Sequence, residues 1–229
     1  MGETFDTAAF ERRLNAGADV LGIALTTEQS GLMAAHAREL WAWNKKINLT
    51  AITDPLTSAE KHFVDTLAVL PFLGEESRIM DMGSGGGFPA IPLKILVPSM
   101  SFTMVDSVRK KVSFMNHVVR LLRLDDIRAV HGRVEDLAKM PDHANAYDAV
   151  ISRGFTELTA FADLALPMLA QGGRIYALKG KLALDEVTPA LRDRFHVTCD
   201  HYRLPFEKSD RYLIKLAPKQ HSPQASLSS

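Results

Sequence analysis

The densest chemical signal is the stretch "IMDMGSGGGFPA", in which four glycines fill five positions, Gly83 to Gly87, directly behind an apolar run. Glycine costs chain entropy and buries no side chain, so such a loop implies a close backbone approach to a ligand. The ligands that use loops of this kind are a nucleoside triphosphate, a dinucleotide and S-adenosylmethionine. A triphosphate loop needs Lys-Ser/Thr behind its last glycine. Phe88-Pro89 stands there, which excludes it. The looser dinucleotide pattern fits Gly85, Gly87 and Ala90, a weak match because glycine-dense strings satisfy many patterns. The other frame is Asp81-x-Gly83-x-Gly85-x-Gly87, an acid followed by alternating glycines. Asp106 closes "SFTMVDS", where a carboxylate accepts from ribose hydroxyls or caps a helix from Val108 onward. Arg153 ends "DAVISR" at the carboxyl end of a strand, where open α/β sheets bind ligands; an ion pair is its other reading.

These residues need elements to hold them. Helical periodicity marks 4–16 and 27–46, the latter behind a capping Thr27, and Asp54-Pro55 opens a third helix running to about Phe72. After Gly74 short apolar runs alternate with helical patterns. Strands are expected at 78–82, 101–105, 127–131, 147–152, 173–179, 195–200 and 211–217, with helices near 89–97, 108–122, 158–169 and 183–193. That alternation predicts an α/β fold with a mostly parallel seven-stranded sheet covered on both faces. Only "RLPFEKSD" separates the last two strands, which predicts a C-terminal antiparallel hairpin. The organisation expected is an N-terminal helical extension (1–74), the sheet domain (75–217) and a disordered tail (218–229). Trp41 and Trp43 read as core aromatics on an amphipathic helix rather than as a base-stacking pair.

Composition bounds the partners. The 229 residues carry 27 basic and 27 acidic side chains, so binding to nucleic acid would rest on a local basic face. Cys199 is the single cysteine, leaving no intrachain disulfide and no cysteine metal cluster. With no secretory pattern at the start and no apolar run of membrane-spanning length, a cytoplasmic protein off the membrane is expected.

The acid-and-glycine frame resembles the first motif of the Rossmann-like class I SAM-dependent methyltransferases, and the short chain without a second substrate domain fits that class better than a dehydrogenase. The segment behind the fourth strand, Ser152-Arg153-Gly154-Phe155, lacks the Asp/Asn-Pro-Pro-Tyr common among base-amine methylating enzymes. Cys199 lies too late in the chain for a C5-directed nucleophile. Ring nitrogens with free lone pairs, such as guanine N7, stay among the acceptors, since they need positioning and no base.

Seven segments then fall in order: "WNKKINLTAI", "KHFVDTL", "DMGSGGGFPAIPL", "VDSVRKKVSFM", "RVEDL", "VISRGF" and "YALKG". Together, over about residues 25–217, they resemble the bacterial 16S rRNA guanine-N7 methyltransferases of the glucose-inhibited division protein B family. The resemblance implies methyl transfer from S-adenosyl-L-methionine to N7 of guanine 527 in 16S rRNA. It implies cofactor contacts at Gly83, Phe88, Val134, Glu135 and Arg153, joined by Gly85 and Asp106 from the loop and second strand. No metal is implied, no catalytic residue is assigned, and which residue, if any, acts beyond positioning is left open. The RNA candidates are Asn44, Lys45, Asn48, His62, Lys110 and Lys179, with Lys46, Arg109, Lys111 and Lys181 beside them. The expected partner is naked 16S rRNA, the small ribosomal subunit or an assembly intermediate, met by a monomer. A small-metabolite methyltransferase and a non-catalytic SAM- or RNA-binding module are the competing readings.

Overall fold

A computed structural model describes residues 4–219 of the chain. It opens with α1 (Thr7–Val20), capped by Asp6, and α2 (Thr27–Ile47), closed at its start by a reciprocal box between Thr26 and Gln29. α3 (Pro55–Ser58), capped by Asp54, runs through a π-helical turn (Ala59–Val64) into α4 (Asp65–Leu67). The third helix predicted from sequence is therefore real but carries a wide turn in its middle, which periodicity cannot show.

The strands are β1 (Arg78–Met82), β2 (Ser101–Asp106), β3 (Ile127–His131), β4 (Tyr147–Arg153), β5 (Leu169–Lys179), β6 (Phe195–Arg203) and β7 (Asp210–Pro218). Between them stand α5 (Ala90–Leu96), α6 (Arg109–Leu121), α7 (Val134–Leu137), α8 (Leu158–Ala165) and α9 (Pro189–Arg194). They form one sheet in the order β3-β2-β1-β4-β5-β7-β6, with β7 antiparallel to both neighbours and the other contacts parallel. The chain builds outward from β1 through β2 to β3, then returns to lay β4 on the opposite side. That reversal opens a crevice beyond the carboxyl ends of β1 and β4, where sheets of this kind hold ligands.

Several boundaries differ from the sequence reading, among them α1, at Thr7–Val20 instead of 4–16, and β6, which runs on to Arg203 instead of 200. β5 starts at Leu169 instead of 173, because its pairing with β4 shifts register between Tyr147 and Ala149 and takes up the Gly172-Gly173 irregularity. α8 ends at Ala165, and Pro167 sits in a 3-10 turn over Leu166–Met168. The helix predicted near 183–193 divides into a 3-10 segment (Lys181–Glu186) and α9, whose start is set by Thr188 capping Leu191 and by Pro189. Residues 220–229 of the predicted tail lie outside the described residues.

Alternation along the strands sorts the core into two layers. Ile79, Phe102, Met104, Ala149 and Ile151 face the N-terminal helices together with α5 and α6. Met80, Met82, Val105 and Val150 face α8 and the residues around Leu191. Asp81 pairs in register with Ile151 and Arg153 lies two residues further on, so both point to the N-terminal-helix layer. The site is thereby placed between the glycine loop and helices that a minimal sheet domain would not need.

Candidate cofactor site and its surroundings

The glycine loop folds back over β2. The amides of Gly83 and Ser84 both donate to the Val105 carbonyl, at 2.9 and 3.2 Å, and the Ser84 hydroxyl donates to the Asp81 carbonyl at 2.9 Å. Gly83, Gly85 and Gly87 take φ of +72°, +56° and +84°, which side chains rarely adopt. A Cβ on Gly83 would meet Phe155 at 2.5 Å, and one on Gly87 would collide with Ile91. One on Gly85 would have only the Gly83 carbonyl within reach, at 3.9 Å. Gly85 thus keeps clear the open side of the loop.

Asp106 does more than sequence suggested. Its Oδ1 accepts from the Val108 amide at 2.8 Å, the cap weighed for it, while Oδ2 accepts from Gly85 at 3.1 Å. One buried carboxylate therefore ties the glycine loop to the start of α6, with Lys111 3.9 Å away. Asp81 lies fully buried: Oδ2 accepts from the Ala90 amide at 3.3 Å and Oδ1 has no partner. Burial pushes its pKa up to about 8, so the carboxyl is neutral at pH 7. An orphaned buried oxygen beside an amide-lined, side-chain-free loop fits a ligand that brings positive charge and close van der Waals contact.

Beneath the loop, aromatic rings surround Phe88. His36 and His62 stack on its two faces with centroids 4.8 Å away in each case, Phe63 meets it edge-on at 5.0 Å, and the Arg153 guanidinium lies 4.9 Å from its centroid. The Phe88 ring is therefore a buried floor under the loop. From α2, His36 reaches the Gly86 carbonyl through Nε2 at 2.8 Å, and burial lowers its pKa to about 4, so the neutral ring donates there. Leu40 packs close to Gly86. α2 thus supports the loop directly.

Arg153 is committed to the helices. It donates to the Lys61 carbonyl at 2.9 Å and to His62 Nδ1 at 3.1 Å, and pairs with Asp65 at 3.9 Å. Asp65 also accepts from Tyr202 at 2.9 Å and lies 3.6 Å from Arg211. The π-helical turn is what brings the Lys61 carbonyl and the His62 ring to one guanidinium. Burial first, then the Arg153 charge, lowers the His62 pKa to about 3, and the neutral ring donates Nε2–H to Thr50 at 2.9 Å. The ion-pair alternative weighed for Arg153 is what these contacts describe.

Val134 starts α7 with its side chain buried in the second core layer, and Glu135 follows it, exposed, in the first turn. Among the RNA candidates, Lys45, Asn48 and Lys110 are exposed. Three others are otherwise engaged. His62 is buried under Phe88. Asn44 brackets Thr50, donating to its carbonyl at 2.8 Å and accepting from its amide at 2.9 Å. Lys179 donates to Glu186 and to the Thr156 carbonyl, at 2.7 Å each. Sequence reasoning missed His36, which bonds the Gly86 carbonyl of the loop directly, and Thr50, Asp65, Tyr202 and Arg211, which reach the site through other side chains. Thr50 and Asp65 had a signal, their places inside "WNKKINLTAI" and "KHFVDTL".

The fold and the cradle define the class. A SAM-dependent methyltransferase from Aquifex aeolicus superimposes with a TM-score of 0.54 at 15% identity, covering 71% of this chain and 93% of that one. A Pyrococcus horikoshii protein solved as TYW2 gives a TM-score of 0.52 at 13% identity, covering 69% and 63%. This architecture is that of the SAM-dependent methyltransferases.

Sequence narrows the class to one family. The model of GidB, rRNA small subunit methyltransferase G, matches residues 29–214. Ribosomal RNA small subunit methyltransferase G of Geotalea uraniireducens is 44% identical over 210 residues, 89% of this chain and 94% of that protein. Its Myxococcus xanthus counterpart is 37% identical over 215 residues, 93% and 99%. The chain belongs to the rRNA small subunit methyltransferase G family, and its cofactor is S-adenosyl-L-methionine.

The cofactor is a cation with a sulfonium-activated methyl group, and we propose Asp81, buried with one unpartnered oxygen, as the acid that answers its charge. A cation brought beside a neutral carboxyl lowers that carboxyl's pKa, so binding is expected to release a proton. Affinity should rise with pH between about 6 and 8, by up to about ten-fold per unit, and level off above the pKa. Calorimetry in buffers of different ionisation enthalpy reads the proton directly. Asp81→Asn should flatten the profile, and an affinity independent of pH in the wild type would remove this role.

Proposed function

We propose that the chain transfers the methyl group of S-adenosylmethionine to N7 of guanine 527 in 16S rRNA, acting as a monomer in the cytoplasm. The observation that carries this is the family match over 29–214, which spans both the glycine loop and segment 44–53 at the end of α2 and in the loop behind it. The chemistry agrees. N7 has a free lone pair, so the reaction needs two reactants held in line and no base. The His62 ring has both nitrogens committed and its pKa lowered to about 3, and His36 is lowered to about 4, so neither serves as a proton acceptor near neutrality.

The division of labour we infer sets Gly83, Gly85, Asp106, Val134 and Glu135 around the cofactor, with the Phe88 backbone and Arg153 below them. The helical segment 1–74 and α6 present the RNA. Arg109, Lys110 and Lys111 fill the first turn of α6 without an acidic neighbour in that turn. Cations there oppose the helix dipole at about 0.3–1 kcal/mol each, which an RNA phosphate would reverse. Lys45→Ala and Lys110→Ala should each weaken RNA binding and lower the slope of log affinity against log salt by roughly 0.7–0.9. Lys179→Ala should leave the slope unchanged, since Glu186 and Thr156 hold its ammonium. Equal slopes in every variant would move the RNA surface elsewhere.

The test of the function is 7-methylguanosine mapped in 16S rRNA from cells lacking and re-expressing the protein. It is paired with labelled transfer to naked rRNA, assembly intermediates and the small subunit. Unchanged modification at that guanine in the deletion strain would end the reading.

A further inference from the structure

The end of α2 and the loop behind it line a groove of about 800 Å3 whose wall includes Trp41, Lys45, Asn48, Thr50 and Asp54. It is not an isolated surface feature. Its Thr50 is hydrogen-bonded to His62, whose ring stacks on Phe88 directly behind the loop, so the groove and the cofactor floor share one wall. The same helix that carries Trp41 and Lys45 also holds the loop through His36.

We propose that this groove seats the acceptor guanine nucleotide, extruded from its strand, with the base on the Trp41 indole. The inference rests on the RNA-methylating function proposed above. Three observations support it. Trp41 is half-buried, and Lys45 holds its ammonium 3.3 Å from the indole centroid. An exposed cation–π contact is weaker than base stacking, so a base can displace that ammonium toward its own phosphate. Asp54 lines the groove and supplies an acceptor: both bonds from Thr57 go to Oδ2, at 2.7 Å each, so Oδ1 takes no part in holding Thr57. Those bonds hold its carboxyl below the usual carboxylate range, so it is ionised. A carboxylate accepts from the N1–H and N2–H of guanine, whereas adenine offers an acceptor at N1. Reading that edge leaves N7, on the opposite edge of the purine, free to react. Finally, the two-way bracket between Asn44 and Thr50 fixes the wall without using Asn48, which stands exposed in the left-handed conformation at φ +51°.

Trp41 and Trp43 are the only indoles, and Trp43 packs on Phe114 and His117, so Trp43→Phe leaves Trp41 as a single reporter. The probes are a single-stranded RNA oligonucleotide containing one guanine, the same strand with adenine there, and 5′-GMP. The guanine strand should quench Trp41 and bind roughly ten-fold or more tighter than the adenine strand. Asp54→Asn, which keeps the helix cap, should erase that preference. Trp41→Ala should lower kcat/KM for RNA by roughly ten-fold or more with S-adenosylmethionine affinity unchanged. An unquenched Trp41 in a Trp43→Phe enzyme that still methylates N7 would overturn the groove while sparing the function. So would equal affinity for both strands, or quenching by GMP and not by the strand. Quenching with the guanine preference but no N7 methylation would leave the groove and end the proposed function.

Discussion

Gly85→Val is expected to weaken S-adenosylmethionine binding by roughly a hundred-fold or more, close to 3 kcal/mol, while the protein stays folded. Gly85 offers the cleanest test of the cradle, because a Cβ there meets no protein side chain and points into the space the ligand must use. The substitution has its own conformational cost, since a β-branched residue at φ +56° is strained by about 1–2 kcal/mol. For a chain of this length that lowers Tm by roughly 2–8 °C. Gly172→Val supplies the control. Its φ of +79° is as demanding and its surroundings as open, but it lies near the start of β5, away from the carboxyl-end crevice. It should show the same thermal penalty with cofactor affinity unchanged. Calorimetry and thermal melts on both variants decide the matter. Equal affinities would mean that the loop is a structural turn and the cofactor binds elsewhere.

The sheet, its parallel core and the closing hairpin were legible because each strand is a short apolar run set off by turn residues, and alternation with helices permits few topologies. The glycine loop was legible for the same local reason: its backbone conformation is written in residue type. What stayed hidden is non-local. Nothing in "EKHFVD" announces a π-helical turn, since widening one turn leaves the periodicity nearly intact. The partners of Arg153 come from Lys61, His62 and Asp65, about ninety residues away, and the Asp65 shell extends to Tyr202 and Arg211 in the last two strands. Lys179 reads as a free surface cation, and only the 3-10 fold of Lys181–Glu186 brings Glu186 onto it. Trp41 is half-buried against Phe5 on an amphipathic helix, as helical spacing suggests, but spacing cannot tell that its ring also lines a groove.

Removing the guanidinium of Arg153 should destabilise the fold more than it disturbs the cofactor directly. Arg153→Ala strips Asp65 of one cationic partner and takes a donor from both His62 Nδ1 and the Lys61 carbonyl. Breaking a buried pair in this way costs about 3–5 kcal/mol, or a Tm loss of roughly 6–20 °C at this size. The loss should depend on pH in a defined direction. Burial already raises the Asp65 pKa above its ordinary value, and Arg153 is the leading charge that pulls it back down. Without Arg153 that pKa climbs further, so the folded variant holds a proton that the unfolded chain releases above about pH 4. Stability of Arg153→Ala should therefore fall more steeply than wild type as pH rises through the acid range toward neutrality. The gap between the two should narrow at acid pH, where the carboxyl is protonated in both states. Asp65→Asn in the Arg153→Ala background should recover part of the loss, because the neutral amide needs no counterion. Arg153→Lys should recover less than full stability, since a single ammonium cannot serve the carbonyl, the imidazole and the carboxylate as the planar fork does. Denaturant midpoints at several pH values measure all of this. A variant with wild-type stability and sharply reduced cofactor affinity would instead make Arg153 a direct cofactor ligand.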